Sequence, residues 1–403
     1  MRLMNFDVPY IQDLASTRRF PHSIGTCFLA FKTVEKTALP LQKKKKLIAA
    51  ALLHDIGILP YGHLLESIIK TKDAEFSHEK LVYSILTGNY HPLNRYHQIL
   101  RSVTIRLHKI LNENDIKPQE LFDIICPQKG TKSAISADVD LDNLDNVHRM
   151  AALLGYEKAK SNLNNISNKI TIDNNLNLVF EEEALENIEE WLRMRQSIYT
   201  MIIGHPECVP YNAFLSKLLT ESVDLEIVKQ NEWYITDADF EAKLIDDPRT
   251  SELASSLLTR PKYELVDYIW FISNERPQIE LRELERLIQK QNFETPKKTS
   301  FYFFWTENKL ISREVMVNLP NQMSKTIGRN SHSILVSLVT KSDLSLRIPK
   351  FPENSKSIWR KEVHNYVQGL LPGWKFSVKF PSDYSDKFFN SKITYEQLRL
   401  FAQ

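Results

Sequence analysis

Glycine is scarce in this chain, at 10 residues in 403, roughly a third of the usual level near 7%. That scarcity restricts the fold more than any other single feature. Nucleotide-binding folds that lay backbone against phosphate need clustered glycines, and neither G-x-G-x-x-G nor G-x-x-x-x-G-K-[ST] occurs. Any nucleotide chemistry must therefore run through side chains. Glycine weakens helix interiors, so the same scarcity suits a helical scaffold. No glycine stands between Gly204 and Gly328.

The first 270 residues read mostly as helices. Leu47 to His54 is strongly helix-prone, and Leu185, Ile188, Leu192, Arg195 and Tyr199 fall at helical spacing within Leu185 to Ile203. Ser77 before His78-Glu79-Lys80 and Thr236-Asp237-Ala238-Asp239 are helix-start signals. The lysine run Lys43 to Lys46 is expected as an exposed first turn or loop, and the asparagine-rich Ser161 to Asn177 as partly irregular. After about residue 270, Ser300 to Trp305 and Ser333 to Val339 read as strands, Glu294 to Thr299 as a loop, and Ile358 to Leu371 as a helix. The expected fold class is mainly α with a smaller C-terminal α+β domain.

With 42% hydrophobic and 25% charged residues the composition is that of a soluble globular protein, and the length predicts two to three domains. Cys27, Cys126 and Cys208 are widely spaced and odd in number, which indicates neither a disulfide framework nor a zinc ribbon. The first residues carry no apolar run, and no stretch reaches 18 uncharged apolar residues. A cytoplasmic protein with no membrane span is expected. Residues 271–403 hold 21 Lys+Arg against 13 Asp+Glu, a net of +8, which leaves −6 for residues 1–270. Most such blocks are solvated surface, while a basic region can also meet nucleotide, nucleic acid or an acidic partner.

Eight of the eleven histidines lie between His22 and His148, followed by a cluster of Asp138, Asp140, Asp142 and Asp145. His54-Asp55 closes an apolar helix and meets Gly57 and Pro60, a helix stop that leaves both side chains near a terminus. One ion can reach both there. His22 from an earlier helix and an aspartate from a later one would complete two imidazoles and two carboxylates, a set suited to Mn, Fe, Zn, Co or Ni. A divalent ion so held lowers the pKa of water and polarises a phosphoryl oxygen.

These words, taken in order, resemble the HD-domain phosphohydrolases, and within them the deoxynucleoside triphosphate triphosphohydrolases that include bacterial dGTPases. Arg19-Phe20-Pro21-His22-Ser23-Ile24-Gly25 is similar to R-F-x-H-S-[LI]-G, and Leu53 through His63 to L-H-D-[IL]-G-H-x-P-[FY]-[SG]-H. His78-Glu79 matches the H-E opening the next helix. Asp140 through Arg149 resembles D-x-D-R-[LM]-D-Y-x-x-R, whose arginine in register favours Asp142 over Asp140 as ligand. Arg195 to Tyr199, running on to His205, looks like the R-x-x-M-Y helix, and Arg260 to Tyr263 is similar to R-x-L-Y. The resemblance covers roughly residues 5–270.

It implies an HD-domain helical bundle, with residues 1–160 as the metal-binding core, 161–270 as a helical extension completing the catalytic domain, and 271–403 as a basic regulatory or oligomerisation domain. The implied ligands are His22, His54, Asp55 and Asp142. The implied reaction is hydrolysis of a dNTP to deoxynucleoside and triphosphate, with magnesium able to accompany the substrate. A histidine near neutrality suits protonation of the leaving oxygen; His78 is the candidate, with His63 and Glu66 in its proton network. Arg19 and Arg195 would clamp phosphate oxygens, as planar guanidinium forks do well. A homo-oligomer with a nucleotide effector is implied, and family members have been linked to antiviral defence. The chain departs from the pattern at Ile58, Asn143, Asn146, Met150 and Ile203, which leaves sugar and base preference open. The alternatives are another HD phosphohydrolase, a nucleotidase or phosphodiesterase, and a nucleotide-responsive module with weak catalysis.

Overall fold

A computed structural model describes residues 19–89, 107–199, 208–229, 235–257, 263–291, 293, 300–308, 313–341 and 353–377. Its chain contacts divide it into two units. The first has the limits Met1–Met194, Leu215–Thr259 and Val315–Ile327, and the second Arg195–Phe214, Arg260–Glu314 and Gly328–Gln403.

Helices build the first unit. Helix α1 (Arg19–Glu35) buries His22, Thr26, Leu29, Ala30, Thr33 and Val34, a stripe at three- and four-residue spacing, and packs on α2 (Leu41–Leu53) and α7 (Leu141–Leu153). The lysine run is the exposed first turns of α2, where Lys46 pairs with Glu120 at 2.6 Å and Lys43 donates to the Asn174 carbonyl. Between them come α3 (His63–Ile69), α4 (His78–Thr87), α5 (Leu107–Glu113) and α6 (Pro118–Ile125). Ser77 caps α4 by accepting from the Lys80 N–H. Leu47, Ala50, Ala51, Leu144 and Met150 have no exposed surface. Each buried leucine contributes about 1.5–3 kcal/mol of transfer free energy.

The asparagine-rich stretch is more regular than its composition predicts. It forms α8 (Ala159–Asn168) and a hairpin of β1 (Ile170–Ile172) and β2 (Leu178–Phe180). Asp173 accepts from the Asn175 and Asn177 N–H groups, closing the turn with the side chains that looked disordering. Helices α9 (Leu185–Tyr199), α10 (Val209–Asp224), α11 (Asp237–Asp246) and α12 (Ser251–Ala254) follow, and Thr236 and Asp239 form the expected capping box on α11.

The second unit contains a four-stranded antiparallel sheet in the order β4-β7-β3-β8, from β3 (Tyr263–Ser273), β4 (Ser300–Asn308), β7 (His332–Lys341) and β8 (Lys375–Ser377). The sheet thus begins at Tyr263, slightly before the change of texture near 270. Helices α13 (Leu281–Gln289) and α14 (Glu353–Leu370) belong to its core, where Ile269, Phe271, Leu284, Val336, Trp359 and Val363 are buried together. The fold class is therefore as expected, mainly α with an α+β region towards the C-terminus. The strands β5 (Glu314–Asn318) and β6 (Ser324–Gly328) pair separately; Met316 donates its N–H to Asp138 and Asn318 its side-chain amide to the Leu178 carbonyl. Glu294–Thr299, His205 and Arg260 lie outside the described residues.

Candidate metal centre

Four donors from three places in the first unit converge. His22 stands one turn into α1. His54 follows the last residue of α2, and Asp55 follows it in the turn. Asp142 lies in the first turn of α7. His22 Nε2 is 2.8 Å from Asp142 Oδ1 and 3.9 Å from Asp55 Oδ2, and His54 Nε2 is 3.6 Å from each of those two oxygens. The two imidazoles meet edge to face with centroids 5.3 Å apart. His54 donates Nδ1–H to the Ala51 carbonyl at 2.8 Å, which turns Nε2 towards the two carboxylates. That Nε2 is buried and has no hydrogen-bond partner. A buried nitrogen costs free energy unless something satisfies it, and two imidazoles with two carboxylates fit a divalent transition ion. His22, His54 and Asp142 have donor atoms within 4.8 Å of one another, a set that such an ion would suit, and Asp55 stands beside the two imidazoles.

The electrostatics agree with that fit. Burial works against charge on His54, yet the Asp55 and Asp142 carboxylates outweigh it and push its pKa up to about 9. His22 is raised as well, because hydrogen bonds to Asp142 and Asp145 and the nearby charges overcome its burial. For Asp55, burial is offset by Arg19 and the histidines, which hold it at about 2. Asp142 keeps 34% of its side chain exposed, against 1% for His22 and 6% for His54, so the open side of the cluster is at Asp142.

Asp140 has a different duty. It is the N-cap of α7, with one oxygen accepting from the Asn143 N–H at 2.7 Å and the other from Ala137 N–H. Burial, then the Asp142 charge, raises its pKa to about 7. Of the two aspartates that sequence left in competition, only Asp142 reaches the imidazoles.

A second cluster lies beside the first. Glu66 Oε2 is 3.0 Å from both His63 Nδ1 and His78 Nδ1, while Oε1 accepts from Lys70 at 2.7 Å and from the His78 N–H. Burial of Glu66 is overcome by these donors, which hold its carboxyl far below the usual range. His78 is raised by Glu66, Glu79 and Asp55 against its burial, so the charge of Asp55 is felt in both clusters. Donor atoms of His63, Glu66 and His78 lie within 4.8 Å of one another. The Lys70 ammonium on the same carboxylate opposes a second cation there and favours proton handling. His63 is 70% exposed at the side chain, and His78 15%.

Three glycines make this proximity sterically feasible. A Cβ on Gly57 would stand 2.6 Å from the His78 carbonyl, so α4 can approach the end of α2 only without it. Gly62 has φ +57° and caps α3, next to Tyr61 at φ +59°. That strained tyrosine is held by Asp237, which accepts its N–H, and by Glu241, which accepts its hydroxyl at 2.7 Å. A Cβ on Gly25 would stand 2.0 Å from Asp145 Oδ1.

Arg19 donates Nη1–H to Asp55 Oδ2 at 2.7 Å, beside the donor set. Arg195 lies buried on α9 with its guanidinium 4.6 Å from the Tyr199 ring centre. Ile58, where the resemblance places a histidine, is buried at 2% exposure. Sequence reasoning named Asp145 as a member of the aspartate cluster but gave it no part. Its Oδ2 is 2.8 Å from His22 Nδ1, and Arg149 grips both its oxygens at 2.9 Å. The available signal was the i,i+3 spacing of Asp142 and Asp145 and the i,i+4 spacing of Asp145 and Arg149 on one helix.

Residues 19–150 match the HD domain family, so the chain carries an HD domain. It is 23% identical to the uncharacterized protein YwfO of Bacillus subtilis over 52% of this chain and 46% of that protein. It is 26% identical to the uncharacterized protein MJ1154 of Methanocaldococcus jannaschii over 48% and 36%, and 24% identical to a Dictyostelium discoideum protein named deoxynucleoside triphosphate triphosphohydrolase SAMHD1 homolog over 64% and 53%. The chain spans about half the length, or less, of these relatives. No described helix is long and apolar enough to cross a membrane.

Proposed function

We propose, on the premise of the HD domain, that this protein is a divalent-metal-dependent phosphohydrolase that converts deoxynucleoside triphosphates to deoxynucleoside and triphosphate. The observation that carries the reading is the convergence of His22 Nε2, His54 Nε2, Asp55 and Asp142 around a buried, unsatisfied nitrogen. The similarity to the Dictyostelium discoideum triphosphohydrolase homolog supports the choice of substrate. An ion held by those four residues would supply the Lewis acidity for attack at phosphorus. In this reading His78, whose charged form its hydrogen bond to Glu66 favours, gives the leaving oxygen its proton, and His63 on the same carboxylate relays protons to solvent. Arg19, beside Asp55, binds phosphate oxygens, and for Arg195 the resemblance supplies the same role. A homo-oligomer responsive to a second nucleotide belongs to the same proposal.

The test is product identity. Purified chain with Mn²⁺ and each dNTP is expected to release inorganic triphosphate, seen by phosphorus NMR, and His54→Ala or Asp55→Ala to abolish both release and metal binding. Metal bound without cleavage at the α-phosphorus would defeat the reading. Ile58, apolar and buried where the resemblance places a histidine, favours a second one, a nucleotide-responsive module with weak catalysis, while phosphate or a monophosphate as product would mark another HD phosphohydrolase. Running the assay with and without a second nucleotide, beside light scattering, tests the effector and the oligomer.

A further inference from the structure

The imidazole of His22 makes two hydrogen-bonding contacts at opposite nitrogens. Nε2 faces the donor set, and Nδ1 lies 2.8 Å from Asp145 Oδ2. Both partners are carboxylates, which only accept, so the ring donates at both nitrogens; an ion at Nε2 would take the place of that proton and leave Nδ1–H on Asp145. Asp145 is itself fixed. The same Oδ2 accepts from Arg149 Nε–H, and Oδ1 accepts from Nη2–H, both at 2.9 Å. The pair lies against α1 where Gly25 has no side chain; a Cβ there would be 2.0 Å from Asp145 Oδ1 and 2.3 Å from Arg149 Nη2. His22 and Gly25 share a face of α1, as Asp145 and Arg149 share one of α7.

We infer that Asp145, clamped by Arg149 in the notch left by Gly25, is a positioning residue that sets the tautomer and aim of His22 for metal binding. The inference rests on the reading of His22 as a ligand. Carboxylates behind ligating histidines fix the ring and raise its basicity, and losing one typically costs about 10–100-fold in metal affinity. Asparagine cannot replace Asp145 here. With its oxygen towards His22, its amide would point at Arg149 Nη2, donor against donor.

The experiment titrates Zn²⁺ into the metal-free 403-residue chain by competition with a chromogenic chelator, and records the imidazole proton spectrum of the Zn²⁺-loaded protein. Asp145→Asn is expected to bind Zn²⁺ about 10–100-fold more weakly and to lose the exchange-protected Nδ1–H resonance of His22. Arg149→Gln, which keeps the carboxylate but loosens it, is expected to fall between that variant and the unmodified chain, and it decides the question if Asp145→Asn does not fold. Affinity within about twofold of the unmodified chain for whichever variant folds, or an unaltered His22 resonance in a folded Asp145→Asn, would overturn the inference. Failure of the unmodified chain to bind Zn²⁺ would instead remove the metal centre on which it rests.

Discussion

His148 shows how completely one side chain can be specified by its neighbours. Its Nδ1–H donates to the Leu144 carbonyl at 2.7 Å, and its Nε2 accepts from the Asn162 amide at 3.0 Å. Both contacts suit the neutral ring, and a second proton would face the Asn162 donor. Burial accordingly lowers its pKa to about 4. An unfolded histidine titrates near 6.5, so between these values the unfolded chain binds the extra proton and stability falls as pH drops. The component amounts to about 3 kcal/mol by pH 4, and urea titrations at pH 7 and 4.5 should show it shrinking in His148→Gln. At the metal centre the same scale of reasoning assigns opposite behaviour. His54 is raised to about 9, so an ion must displace protons, and calorimetry in buffers of different ionisation enthalpy should find affinity rising from pH 7 to 9. The motif words made His22, His54 and Asp55 legible in the sequence. Choosing Asp142 over Asp140 needed the arginine register, and the structure shows why the choice matters: one Asp140 oxygen caps α7 and the other accepts from the Ala137 N–H.

Elements meet at this site because their ends are trimmed. Alanine in a helix interior normally stabilises by about 0.5–1 kcal/mol relative to glycine. At Gly25 the sign should reverse, since the new methyl would strike Asp145 and Arg149, and overpacking of this kind costs about 1–3 kcal/mol. Thermal melting and Zn²⁺ titration of Gly25→Ala should show lower stability and weaker binding together. A more stable, fully binding variant would mean that α1 and α7 have room to separate. Helices α2 and α4, the capping box on α11 and the strand runs were readable from period and cap chemistry. The hairpin β1–β2 was not, because its asparagines look like loop formers until Asp173 is seen closing the turn. Nor was the strain at Tyr61, since a positive φ at a tyrosine is imposed by Asp237 and Glu241, far away in sequence.

For the whole molecule, an ion bound only by the folded chain is also a source of stability. At 100 times its dissociation constant it adds about 2.7 kcal/mol, so chelation should lower the melting temperature of the unmodified chain and leave Asp55→Ala unmoved. Equal melting with and without metal in the unmodified chain would show that the four donors hold nothing tightly. The scarcity of glycine takes on a second meaning at this scale. Three of the ten glycines, Gly25, Gly57 and Gly62, stand where helices α1, α4 and α3 close on the donor set, each with its own contact or backbone angle to relieve. By itself the sequence determined the helical scaffold, the C-terminal α+β region and the ligand candidates, since hydrophobic period, cap residues and donor chemistry are local properties. Only the tertiary structure decided that Asp145 stands behind His22 and that Arg19 lies on Asp55. Those contacts join residues from separate helices and turns, brought within hydrogen-bond distance by packing, which no local pattern encodes.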